Sequence, residues 1–428
     1  MNPWRGLKGL PKEIWTLVSA TFVNRAGTMV LPFLVLYLTR TLNISPGKAA
    51  LSLTVYGAAA LMAMPAAGWL TDRAGPLVVM KMSLFCSGVL LLFYPLAHHF
   101  GSILAITFLF AILNESVRPP SLALVSDLVA PEQRKSAFAL SRLAVNLGMS
   151  IGPAIGGMLA VFSFRWLFFA DGITSLLGGM VLALAWPKNL QPRASETHAT
   201  GGQWDDPPWD DAKDLGREIQ AETPGLLATA HPATDLRAFR NRRMLYFLAA
   251  LIPVQLVFFQ FTSTLPLFLV RHLGMPESLY GTIFTLNTLI IVAIEVPLNT
   301  AMERWPHARS LALGAMLYGI GFGSYALVRS PSGVFAAVVV WTFGEMILMP
   351  ASAAYAAEIA PAGRRGEYMG LYTMSFSIAF ALGPWLGANL LEQRGPHAVW
   401  GAAFALGSLS AILMTRIRTR TKPRVATA

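Results

Sequence analysis

Apolar residues in this chain fall into twelve long runs separated by mostly short polar links. Six cover residues 14–38, 48–70, 77–97, 102–126, 137–161 and 166–186, and six more cover 244–270, 279–301, 310–328, 333–357, 367–391 and 398–415. A helix rises 1.5 Å per residue, so a run of about 20 residues crosses the roughly 30 Å of a bilayer's hydrocarbon core. The short links make neighbouring spans alternate in direction. Membrane β-strands would instead alternate apolar and polar positions over about ten residues, and these runs do not. The pattern predicts an all-α polytopic membrane protein with twelve transmembrane helices. One long polar stretch, residues 188–242, is rich in Pro, Gly, Asp and Thr and predicts a flexible linker. The division that follows is an N-terminal six-helix bundle over 1–187, the linker over 188–242, a C-terminal six-helix bundle over 243–416 and a basic tail over 417–428.

The two halves repeat each other at an offset of about 230 residues. Asn114-Glu115, Pro120 and Ala130-Pro131 answer Gly344-Glu345, Pro350 and Ala360-Pro361, and Arg134-Lys135 answer Arg364-Arg365. Gly152-Pro153 answers Gly383-Pro384, and Asp72-Arg73 answers Glu303-Arg304. Such a repeat implies two pseudo-symmetric bundles that rock about a site at the bilayer midplane.

Composition agrees with the pattern. Hydrophobic residues make up 54% and charged residues only 13%, against about 25% charged in soluble proteins. The net charge of +11 does not mark a nucleic-acid binder, because the Lys and Arg residues sit between the apolar runs instead of forming a basic face. With the N-terminus inside, 23 of the 33 Lys and Arg fall on the inner side and six on the outer side. The positive-inside rule then places both termini in the cytoplasm of a bacterial inner membrane. The N-terminus shows no cleavable signal pattern, since its apolar run continues into a full span. Cys86 is the single cysteine, so neither an internal disulfide nor a cysteine metal site is expected. No phosphate-loop, zinc-protease or serine-hydrolase motif occurs, which argues against an enzyme and leaves an ion or solute gradient as the energy source. No cofactor or metal is expected.

The link after the second run reads GWLTDRAGPLVVM, with Gly68, Leu70, Asp72, Arg73 and Gly75. It resembles the G-x-L-x-D-R-x-G-R-K motif of the major facilitator superfamily, except that Pro76 and Leu77 replace the final basic pair. The fifth run contains NLGMSIGPAIGG, in which Gly148, Gly152 and Gly156 share a helix face beside Pro153 and Gly157. It matches G-x-x-x-G-P-x-x-G-G, which within that superfamily marks the drug:proton antiporters. Small residues at this spacing also let helix backbones approach closely in lipid. The resemblance covers essentially the whole chain and is greatest to the multidrug branch. It implies that Asp72 meets the inner end of the eleventh helix in a lock on the outward-facing state, with Asp127 and Arg142 as relay partners.

Ionisable residues in mid-membrane carry the sharpest functional expectation, since each costs about 2.5 to 3.5 kcal/mol at a helix centre on insertion scales. Arg25 lies in the first run, Glu115 and Arg118 in the fourth and Glu345 in the tenth. The resemblance places these helices around the central cavity. Glu115 and Arg118 are three apart and are expected to pair on one helix face. Glu345 has no basic neighbour on its own helix, which makes it the first proton-carrier candidate, with Glu115 second. Arg25 is expected across the cavity from it. Glu295 and Asp171 are weaker candidates. In the seventh run Gln255, Phe259 and Thr262 recur at helical spacing and are expected to offer an amide, a ring and a hydroxyl to substrate.

These readings converge on a secondary transporter that exports amphipathic small molecules in exchange for protons by alternating access. Its expected partners are a small-molecule substrate, protons and the lipid bilayer. The first alternative is a proton symporter importing a zwitterionic or anionic solute, favoured by the midplane arginines. An alternative of another class is a transport-dead sensor or scaffold that docks partners through its acidic linker.

Overall fold

The computed structural model describes residues 9–129, 133–186, 240–302, 305–361 and 365–417. The expected linker, apart from residues 240–242, and the basic tail after Ile417 lie outside them. The described residues form twelve helical segments. In the first half these are α1 (Lys12–Arg40), α2 (Pro46–Ala74), α3 (Pro76–Leu96), α4 (Phe100–Leu128), α5 (Arg134–Phe162) and α6 (Arg165–Leu184). In the second half they are α7 (Arg242–His272), α8 (Glu277–Ala301), α9 (His307–Ser324), α10 (Pro331–Ile359), α11 (Arg365–Arg394) and α12 (Pro396–Thr415). Eleven have the length and hydropathy of a membrane span, and α9 is the twelfth. Large apolar side chains such as Leu184, Leu327 and Phe162 face outward, as expected where lipid is the solvent.

The repeat seen in the sequence is a repeat of packing. In the first bundle α1 packs on α5 and α6, α2 on α4, and α3 on α6; in the second α7 packs on α11 and α12, α8 on α10, and α9 on α12. The bundles meet through α2 with α11 and α5 with α8, which the repeat exchanges.

Three spans are broken. α1 divides into Lys12–Ala26 and Val30–Arg40. α4 divides into Phe100–Glu115 and Arg118–Leu128, where Pro119 and Pro120 start a new helix because they have no N–H to continue the old one. α7 is α-helical over Arg242–Phe258, tightens to a 3-10 turn over Phe259–Thr262, and ends in a π-helical turn over Phe268–His272. Asn241 caps its start by accepting from the amides of Arg243 (2.9 Å) and Met244 (3.3 Å).

The end of the molecule holding the α1–α2 turn is here called distal, and the opposite end, where Asp72 lies, proximal. At the distal end Arg40 pairs with Glu277, the Gly47 amide donates to Glu392 (2.9 Å), Thr54 donates to the Ala381 carbonyl (2.6 Å) and Arg271 donates to the Thr39 carbonyl (3.3 Å). Thr285 donates to the Ser150 carbonyl (3.4 Å) further in. Every polar contact between the bundles among the described residues lies in this distal half. At the proximal end a Cβ added to Gly68 would meet nothing within 4 Å. The conformation is closed distally.

Candidate functional site

Between α5, α7, α8 and α10 lies a cavity of about 340 Å³. Its walls are mostly apolar: Phe258 and Phe261 of α7, Ile283, Phe284 and Ile291 of α8, Trp341, Met346 and Met349 of α10, and Met149 of α5. Its polar groups are Arg142 and Asn146 from α5, Asn287, Thr288 and Glu295 from α8, and Glu345 from α10. Glu345 is thus a cavity residue. Its carboxylate accepts a hydrogen bond from the Asn287 side-chain amide (2.9 Å), which also donates to Thr342 (3.0 Å). The partner of this mid-membrane acid is a neutral amide.

The first half holds the symmetric arrangement. Glu115 accepts from the Tyr56 hydroxyl (2.7 Å), whose oxygen accepts from Asn114 (2.7 Å). Tyr56 and Asn287 stand within one residue of the offset between the two glutamates, so each bundle presents a glutamate on its fourth helix to a neutral donor on its second. The sequence reading missed both donors, although the repeat offset, carried from α4 and α10 to α2 and α8, points to them.

Three expectations about the site are corrected. Glu115 and Arg118 form no ion pair among the described residues, because α4 breaks between them and Arg118 is exposed. Arg25 is not among the residues that line the cavity; it sits in the last turn before the α1 break, where its charge reaches Tyr56 and Asp171. Gln255 is buried and donates to Ser375 of α11 (3.0 Å), Phe259 packs edge-on against Phe380 (5.1 Å), and Thr262 donates to the Phe259 carbonyl (2.8 Å), so none of the three lines the cavity. The helical spacing that grouped them fails where the 3-10 turn begins, and Phe258 and Phe261 face the cavity instead. Asp127 is exposed and Arg142 lies against the cavity; the relay expected of them belongs to the outward-facing state.

The other two motifs occupy definite places. Gly75 ends α2 at φ 84°, a conformation that favours glycine, while Asp72 is exposed and Arg73 stacks over Trp69 of its own helix, 4.1 Å from the ring centre. The side chains of residues 365–367, where α11 begins, lie outside the description, so the expected contact with Asp72 does too. On α5, a Cβ at Gly148 would meet the Arg25 side chain at 2.5 Å, and one at Gly152 would meet the Thr28 and Ala26 carbonyls at 3.0 and 3.1 Å. Gly156 packs on Met29 and Phe33. Gly157 faces the other bundle, against Glu277, Ser278 and Gly281 of α8, and the Pro153 carbonyl abuts Gly281. The repeat partner Gly383 packs in the same way on Leu256 and Phe259 at the α7 break. Among the described residues no group of three or more His, Cys, Asp or Glu side chains could hold a metal ion.

A family model described as Major Facilitator Superfamily matches residues 17–292 and 256–428. The chain belongs to this superfamily. Among its relatives, an uncharacterized major-facilitator-type transporter of Bacillus subtilis, YqjV, is 25% identical over 92% of this chain and 89% of its own. A Na(+), Li(+), K(+)/H(+) antiporter of Planococcus maritimus is 25% identical over 86% and 87%, and the multidrug resistance protein MdtH of Edwardsiella ictaluri is 24% identical over 69% and 66%. A solved peptide transporter shares the fold with a TM-score of 0.73 at 18% identity over 96% of each chain. A D-xylose-proton symporter does so with a TM-score of 0.70 at 15% identity, covering 95% of this chain and 97% of its own. The chain is a multi-pass membrane transporter of the superfamily.

Proposed function

We propose that this secondary transporter exports amphipathic small molecules in exchange for protons, with Glu345 as the proton carrier. The observation that carries the reading is the cavity where the bundles meet, whose aromatic, Ile and Met walls suit apolar ligands and whose acid Glu345 accepts, among the described residues, from the neutral Asn287 amide. A proton taken up there changes the charge of the cavity without breaking an ion pair, so its arrival and departure can alternate with substrate. The helix 5 glycines support the antiporter reading, since they bring α5 against both the α1 break and α8. Two relatives bear antiporter and multidrug-resistance names. We place the proximal end in the cytoplasm on the Lys and Arg distribution. The distally closed conformation is then inward-facing, and Asp72 serves as half of a proximal lock that forms when the bundles rock the other way.

A second reading, symport of a zwitterionic or anionic solute, is favoured by the Arg25 charge near the Tyr56–Glu115 pair in the first bundle. The sign of coupling separates the two in proteoliposomes with an imposed pH gradient. Antiport concentrates substrate on the acidic side of the membrane, and symport on the alkaline side.

A further inference from the structure

Asp171 of α6 is only 5% exposed, and the transport reading above gives it no part. One of its carboxylate oxygens accepts from the backbone amides of both Met29 and Val30, each at 3.1 Å. These amides stand at the start of the Val30–Arg40 half of α1, where a helix leaves its first N–H groups without intrahelical partners and its dipole favours negative charge. α6 also grips the other side of the break: Asn24 donates to Ser175 (3.1 Å), and Thr174 fills the space beside Gly27. The far end of the same eleven-residue segment makes the distal closure. Arg40 pairs with Glu277 and the Thr39 carbonyl accepts from Arg271, while nearer the start Phe33 packs edge-on against Tyr280 at 5.2 Å.

A helix of this length is a stiff rod of about 16 Å, so fixing one end sets where the other can dock. We infer that Asp171 is a positioning residue for the transport cycle, holding the start of Val30–Arg40 so that its far end closes the distal gate. The feature that does this is the acceptor oxygen, as distinct from the charge Asp171 carries near Arg25. The inference rests on the alternating-access reading.

The test uses a reporter cysteine at Ser150 on α5, beneath the distal closure, in a Cys86→Ala background of the full chain. Labelling by a membrane-impermeant maleimide in intact cells reports distal opening. Asp171→Ala and Arg40→Gln should each speed labelling about five-fold, the population change that losing a helix-start acceptor brings, while Asp171→Asn, whose side-chain oxygen still accepts, stays at the parent rate. Fast labelling in Arg40→Gln with parent-rate labelling in a folded Asp171→Ala overturns the inference alone. Equal acceleration in Asp171→Asn and Asp171→Ala also overturns it, since charge and not the acceptor would then matter. No acceleration in any variant contradicts the alternating-access reading and the inference with it. Should Asp171→Ala not reach the membrane, hydrogen exchange of the unsubstituted protein decides: Met29 and Val30 amides exchanging as slowly as those of Leu34 to Leu36 support the role, and fast exchange overturns it.

Discussion

At the scale of single residues, the two glutamates show how much a broken helix changes a local argument. Residue type and depth were legible: Glu345 reads as a cavity acid from sequence, and it is one. Pairing was not. The spacing of Glu115 and Arg118 promises an ion pair only if α4 is continuous, and the Pro119-Pro120 start of a second helix separates them. Glu115 holds Tyr56 instead. Glu115→Gln therefore keeps an acceptor for the hydroxyl and breaks no ion pair among the described residues, so its stability in detergent should match the parent within the scatter of ordinary surface substitutions, about 0.5 kcal/mol. A loss on the scale of a broken buried ion pair, roughly 3 to 5 kcal/mol, would show that Glu115 holds a charged partner.

At the scale of elements, the twelve spans are legible because an apolar run of bilayer length has few other uses, and the observed helices begin and end close to the runs. The breaks in α1, α4 and α7 are not, because a broken span has the same hydropathy as a straight one. The signals of the first two are Gly27 and the Pro119-Pro120 pair, which a run-length argument passes over. The misplacement of Gln255, Phe259 and Thr262 has the same origin, since a period of 3.6 does not carry through a 3-10 turn. The helix 5 glycines were legible as a close-packing face, but their neighbours were not: that face backs the α1 break and not a featureless helix. Gly148→Val should destabilise the protein by about 1 to 3 kcal/mol, the cost of overpacking, because the added carbon meets Arg25. Gly101→Val, where an added Cβ meets nothing within 4 Å, is the control; equal melting of the two variants would remove α5 from the support of α1.

At the scale of the whole molecule, the internal repeat is the feature that sequence and structure share most fully. It pairs the bundles, their α5 and α11 glycines and their glutamate-donor contacts, while leaving a different donor, Tyr56 or Asn287, on each side. That difference gives the second bundle an amide-held acid in an apolar cavity and the first a phenol-held one. Orientation is tested first: single cysteines at Ser195 and Thr427 in a Cys86→Ala background should resist an impermeant thiol reagent in intact cells, and labelling of either from outside would reverse the topology. The central claim, that Glu345 carries the proton exchanged for substrate, is tested most directly by Glu345→Gln, which keeps an acceptor for Asn287 and fixes the neutral state. The measurement is uptake of an amphipathic substrate into acid-lumen proteoliposomes, with downhill exchange recorded alongside. The account predicts that the parent concentrates substrate in the lumen, whereas Glu345→Gln exchanges it downhill and concentrates none. Accumulation by Glu345→Gln at the parent rate would contradict it.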